Sequence, residues 1–144
     1  MSLVVATIRT ATADKVAAAW AAQGWTANVY AYDQLAVVMD CLIVHAPTSV
    51  DYHGTMSPGA VAHVAFDLEY RANGTGIDSY KRAESVLSTG TDGSLFDALS
   101  ADRYLLSGLA GVAAVIRSAA GPQPVVTDSA SYLFCMFQLQ AFVG

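Results

Sequence analysis

Residues 60–71, AVAHVAFDLEYR, alternate between apolar and mixed side chains with a period of two. That pattern fits an extended strand and no helix, because successive side chains of a strand point to opposite faces. Ala60, Ala62, Val64, Phe66, Leu68 and Tyr70 form an ordinary core face. Val61, His63, Ala65, Asp67, Glu69 and Arg71 form the other, which must meet solvent, a substrate or another chain. The final run, residues 131–143 (SYLFCMFQLQAFV), tightens the constraint. Leu133, Cys135, Phe137, Leu139, Ala141 and Val143 make one face, while Tyr132, Phe134, Met136, Gln138, Gln140 and Phe142 make the other. Large apolar groups thus lie on both sides. A sheet with one solvated face does not carry these, so part of the outer face is expected to be covered.

The flanking segments supply helices for the inner face. TATADKVAAAWAAQGW predicts a helix over 12–23, with Thr10 or Thr12 as N-cap, Asp14 near its positive end and Gly24 as stop. Trp20 and Trp25 anchor it on the sheet. Two strands are expected over 26–32 and 35–46, then a loop over 47–59 marked by prolines and glycines. IDSYKRAESVLS puts Ile77, Tyr80, Ala83, Val86 and Leu87 on one helical face. A short third helix is expected over 94–101, entered at Asp92 and Ser94, with Leu95, Phe96 and Leu99 inward. VAAVIRSA reads as a strand and GPQPVVTDS as a turn before the last strand. The order predicts one α+β domain over residues 1–144: a mostly antiparallel sheet of about five strands, with two main helices and one short helix packed on one face.

Hydrophobic residues make up 54% of the chain and charged residues only 13%, against about 25% charged in a typical soluble domain. Too little charge is present to coat an ordinary monomer, which again points to apolar surface meeting another chain. The net charge is −5 and the seven Lys and Arg are scattered, which disfavours phosphate-dominated nucleic-acid binding. The longest apolar runs, LAVVMDCLIV and LLSGLAGVAAVI, fall short of the ~20 residues of a spanning helix, so no membrane partner is expected. The first ten residues lack a basic n-region and a cleavage site, which leaves no evident secretion signal. Cys41 and Cys135 sit in apolar strand-like runs and read as buried free thiols.

Chemistry-bearing constellations are sparse. His63 and Asp67 share a strand face, but at ~3.3 Å per residue they lie about 13 Å apart, too far to bind one ion. Asp67 and Glu69 are about 7 Å apart by the same rise and could act as an acid pair only with partners from elsewhere in the chain. The histidines at 45, 53 and 63 lack HxxxH or HExxH spacing, the cysteines lack CxxC, and each histidine reads as a surface or loop residue. Ser107 in LLSGLAG has the wrong flanks for a nucleophile elbow, and NGTGID and TGTDGS resemble neither a P-loop nor a dinucleotide fingerprint. The expectation is therefore no catalytic site, no cofactor and no metal.

The succession NVYAYD, LAVVMDCLIV, SVDYHGTM, HVAFDLEYRA, IDSYKRAESVLS, GSLFDALSAD and a C-terminal strand resembles the tail terminator proteins of long-tailed phages. The likeness covers about residues 10–143 and is densest in VDYHGTM and SLFDALSAD. LAGVAAVIRSAAGPQPVV departs from the family pattern in being short and plain. The resemblance implies a non-enzymatic virion protein, assembled in the host cytoplasm, that forms a hexameric ring on the head-proximal end of the tail tube. It would end tube polymerisation and meet two partners, the tail tube protein and the head-completion or stopper protein. DNA would pass through the channel without sequence-specific binding. On this reading Tyr52, His53 and Met56 are candidates for subunit contacts, and His63, Asp67, Glu69 and Arg71 face a neighbour or the channel. Phe134, Met136, Gln138 and Gln140 belong to the same interface set. Two competing readings are another head-to-tail connector, a stopper or adaptor, and a small-molecule-binding domain with a pocket lined by Tyr30, Tyr32, Phe66 and Phe134.

Overall fold

A computed structural model describes residues 5–34, 36–52, 62–100 and 112–143. The elements run α1 (Val5–Gln23), β1 (Asn28–Tyr30), β2 (Cys41–Asp51), β3 (Ala62–Asn73), α2 (Ile77–Leu87), α3 (Leu95–Ser100), β4 (Val112–Val126) and β5 (Ser131–Val143). The five strands form one sheet in the order β1-β2-β3-β5-β4. β1 runs parallel to β2, and every other pair is antiparallel. This is the α+β architecture expected from the sequence.

One face of the sheet holds the core. Val64, Phe66, Leu68 and Tyr70 of β3 and Leu133, Cys135, Phe137 and Leu139 of β5 cluster with Ile8, Val16 and Trp20 of α1, Ala83 and Val86 of α2, and Leu95 and Leu99 of α3. Each large side chain so buried contributes roughly 1.5–3 kcal/mol. The period-two reading of both central strands therefore holds over the described residues except at Ala65, which is buried although it lies on the outer face; Ala60 and Val61 lie outside the described residues. Two helical positions differ from expectation. Ile77, at the first residue of α2, and Phe96, a turn away from Leu99, are exposed.

α1 begins at Val5, well before the expected cap. Thr12 is fully buried and its hydroxyl donates to the Ile8 carbonyl at 2.8 Å, a back-bond within a continuing helix rather than a cap. Ile8, Thr12, Val16 and Trp20 recur every fourth residue and seat the helix. Gly24, at φ 71°, closes it: Trp25 N–H donates to Trp20 O at 2.9 Å and Gly24 N–H to Ala21 O at 3.2 Å, the paired bonds of a Schellman end.

The β1–β2 edge is shorter than the sequence suggests, and its cause is visible. Arg9, buried on α1, donates from Nε to Ala31 O at 3.0 Å and from a terminal nitrogen to Val44 O at 2.7 Å. It thereby takes the next two carbonyls of the parallel ladder and ends β1 at Tyr30. β2 starts at Cys41 because Asp40 turns its carboxylate inward, accepting from Asn73 N–H at 2.6 Å and pairing with Arg82. The strand then runs through Pro47 to Asp51, with register shifts on either side of the proline. Residues 47–51 are therefore strand rather than loop. β1 pairs only with Cys41–Ile43, so at Pro47 β2 is open on one side among the described residues, and such a stretch tolerates Pro because one row of its donors needs no partner.

β4 likewise absorbs the segment expected to be a turn. Ala120 pairs with Met136 and Gln123 with Phe134, so Gly121 and Pro122 are taken up in a bulge. The reversal lies at residues 127–130, where Thr127 N–H donates to Ala130 O at 2.8 Å.

The turn before α3 ties it to α1. Ser94 accepts from Asp97 N–H at 3.2 Å as an N-cap, and Trp20 Nε1–H donates to Gly93 O at 3.1 Å. Gly93 sits at φ 79°, and a Cβ there would lie 2.6 Å from the Trp25 ring. Gly93→Ala is expected to cost about 2–5 kcal/mol, combining a left-handed non-glycine residue (about 1–2) with overpacking (about 1–3). Urea unfolding measures it, and an unchanged midpoint would refute the close approach.

Candidate functional site

The face of the sheet away from the helices is where the predicted residues gather. His63, Asp67, Glu69 and Arg71 of β3 lie opposite Phe142, Gln138, Met136 and Phe134 of β5, and Ala65 lies opposite Gln140. One patch thus unites His63, Asp67, Glu69, Arg71, Phe134, Met136, Gln138 and Gln140. All eight are half-buried. The apolar residues that α1 and α2 bury belong to the opposite cluster, as do Leu95 and Leu99 of α3. No described helix covers this patch. Tyr52 stands at its margin just past β2, 76% exposed. His53 and Met56 lie outside the described residues.

Most polar groups of the patch are already partnered. Glu69 accepts from Arg71 Nε–H at 2.6 Å and bonds His45 Nε2 at 2.8 Å, while His45 Nδ1 meets Asp33 at 2.7 Å. Arg71 also lies over the Tyr132 ring, 5.0 Å from its centroid. His63 stacks on Phe142 at 4.8 Å and reaches Asp51 at 3.1 Å. Arg117 Nε–H donates to Gln140 Oε1 at 2.9 Å. Asp67 has no ion-pair partner among the described residues. Its carboxylate is the unneutralised acid at the centre of the sheet face.

His45 and His63 both lie within strands, as the expected strand spans placed them, but His45 is half-buried between two carboxylates rather than a free surface residue. Its partners are 12 and 24 positions away, so no local spacing announces them. The structure also places Cys41 and Ile43 in register with Arg71 and Glu69, fully or nearly buried on the outer side. Burial pushes the Cys41 thiol up to about 11 and the Cys135 thiol up to about 12, so neither is a thiolate near neutrality.

Burial raises the Glu69 pKa, but its hydrogen bonds to Arg71 and His45 outweigh that and hold it below the usual range. A carboxylate depressed in the fold adds stability above its unfolded pKa of about 4.3, and that increment is lost as pH falls through the folded value. Glu69→Gln is therefore expected to flatten the acid limb of a stability–pH curve below about pH 4–5. Thermal unfolding at a series of pH values checks this; an unaltered limb would place the acid sensitivity elsewhere.

The pocket foreseen for a small molecule is not assembled. Phe66 is fully buried in the core, whereas Phe134 lies on the opposite face. A different concavity, an apolar groove of about 510 Å³, runs between α3 and β4 and is lined by Phe96, Leu99, Ala113, Val115, Ile116 and Phe142, among others. The sequence carried no signal for it, since Phe96 was expected to point inward and is 41% exposed instead. Among the described residues, no three His, Cys, Asp or Glu side chains come together to hold a metal ion. No described helix is long and apolar enough to cross a membrane.

Comparison with protein-family models finds none that matches this chain, and comparison with curated proteins finds no match.

Proposed function

We propose that this chain is a structural, non-enzymatic virion protein of the tail terminator kind, a hexameric ring on the head-proximal end of a phage tail tube. The ring ends tube polymerisation and presents its far side to the head-completion or stopper protein. The observation that carries the reading is the outer sheet face. Phe134 and Met136 stand there beside partnered polar groups, with no described helix over them. A patch of this composition, with large apolar side chains among polar groups that are mostly partnered, suits burial against protein better than exposure to water. The overall shortage of charge, 13% of residues, and the resemblance in VDYHGTM and SLFDALSAD point the same way. Asp67, without an ion-pair partner among the described residues, faces a neighbour or the channel, where negative charge keeps passing DNA from the wall.

The test is to add the protein to growing tail tubes and image them by negative stain. Caps at one end and shortened tubes are expected. Met136→Glu should abolish capping while leaving the circular dichroism spectrum unchanged. Uncapped tubes with the wild-type protein would refute the reading. Binding to a head-completion protein without tube capping would favour a stopper or adaptor.

A further inference from the structure

The two lateral ends of the sheet carry features that match each other. Among the described residues β4 is an edge strand. Its far half contains Pro122 and Pro124, which cannot donate to a ladder and so guard that stretch. Residues 112–119 contain no proline, and Val115 is exposed there. The apolar groove lined by Phe96, Leu99, Ala113, Val115 and Phe142 lies along this unguarded half. At the other end, β1 covers only Cys41, Leu42 and Ile43 of β2. Beyond Pro47, β2 runs to Asp51 with no strand paired on its outer side among the described residues, and Tyr52 follows, 76% exposed.

These features stand at the same height. Asp51, His63, Phe142 and Ala113 form one row across the sheet through successive register pairs, so Tyr52 and the groove occupy the same level on opposite sides. A second row runs through Pro47, Phe66, Leu139 and Ile116. Next to Ile116, Arg117 is the extra residue of a bulge and is exposed. Near Pro47, Asp33 is held on His45 and is 65% exposed. A cation on one edge thus lies level with an acid on the other. β2 and β4 also run in opposite directions, since three antiparallel pairings separate them. Rotation about an axis along the strands preserves direction, so β2 of one copy meets β4 of the next as an antiparallel neighbour.

Resting on the ring reading above, we infer that the occupant of the β4 groove is Tyr52 of a second copy of this chain. Residues 48–51 of that copy extend the sheet along residues 112–119, and its Asp33 meets Arg117. The contact is heterologous, with a knob on one edge and a hole on the other. Such a contact repeats from copy to copy and closes when the rotation allows.

Mixed single-cysteine variants test it. Tyr52→Cys and Ala113→Cys are purified separately, mixed and oxidised. Bridging requires Cα atoms within about 7 Å. Cys41 and Cys135 do not compete, because both are fully buried. At least about tenfold more disulfide-linked dimer is expected in the mixture than in either variant alone, because only the mixture places the two thiols across one contact. Arg117→Glu should lower the yield and Asp33→Arg in the partner variant should restore it, which a merely misfolded variant would not show. No excess over the single variants would overturn the contact, even if wild-type rings are seen by negative stain. Cross-linking at this contact with no ring by imaging or mass would uphold the contact and remove the ring.

Discussion

Trp20→Ala is expected to lower the free energy of unfolding by about 4 kcal/mol, within the roughly 3–5 kcal/mol seen when a buried tryptophan or phenylalanine is truncated. Trp20 is 1% exposed. Its ring meets Tyr70 edge-on at 6.0 Å, and its Nε1–H donates to Gly93 O at 3.1 Å. One side chain thus joins α1, the central strand β3 and the turn before α3. Truncation removes the transfer energy, leaves a cavity and orphans the Gly93 carbonyl. Against a total stability of about 5–15 kcal/mol for a typical domain, a loss of this size leaves little margin. Trp20→Phe should cost less, since it keeps most of the volume and loses the hydrogen bond. Guanidinium unfolding of both variants measures the effect; a loss under about 1 kcal/mol for alanine would mean the site collapses without a cavity.

Arg82→Ala is expected to cost about 3 kcal/mol for a different reason. Asp40 is nearly fully buried, its carboxylate held by Asn73 N–H at 2.6 Å and by the Arg82 guanidinium. Arg82 further donates to Thr26 O at 3.1 Å and lies over the Trp25 ring. Removing the arginine leaves a buried carboxylate short of its cation, and breaking a buried pair from one side costs about 3–5 kcal/mol. The Arg82 side chain is 43% exposed, so water relieves part of that penalty, which places the effect at the lower end. Asp40→Asn on the Arg82→Ala background should recover a good part of the loss, because no charge then remains to be neutralised. A double variant no more stable than the single one would show that Arg82 acts through its packing on Trp25 instead.

The central strands were legible from sequence because β3 and β5 are paired on both sides and face a core on one, so burial repeats every second residue from Leu133 to Leu139 and, with Ala65 the one outer residue also buried, from Val64 to Tyr70. Edge elements were not. Pro47, Pro122 and Pro124 read as breaks, yet an edge strand has an unused row of donors and accepts them. The end of β1 depends on Arg9, 22 residues before the carbonyl of Ala31 that it takes. Likewise, the link from Asp33 through His45 to Glu69 joins residues with no common spacing. Of the candidate site, alternation gave the outer face of β3 and that of β5 separately, while the pairing that joins them into one patch did not follow from it. The groove along β4 did not, since it is made by α3 meeting a strand edge and belongs to no single periodic segment.

If copies of this chain assemble through the sheet as proposed, light scattering of the purified protein, alone and with a phage tail tube protein, reads it directly. A species near 90 kDa, six times the 15.0 kDa chain, or a ring held on tube ends, is the predicted result. A mass of 15.0 kDa that persists at high concentration and gains nothing from the tube protein would contradict it.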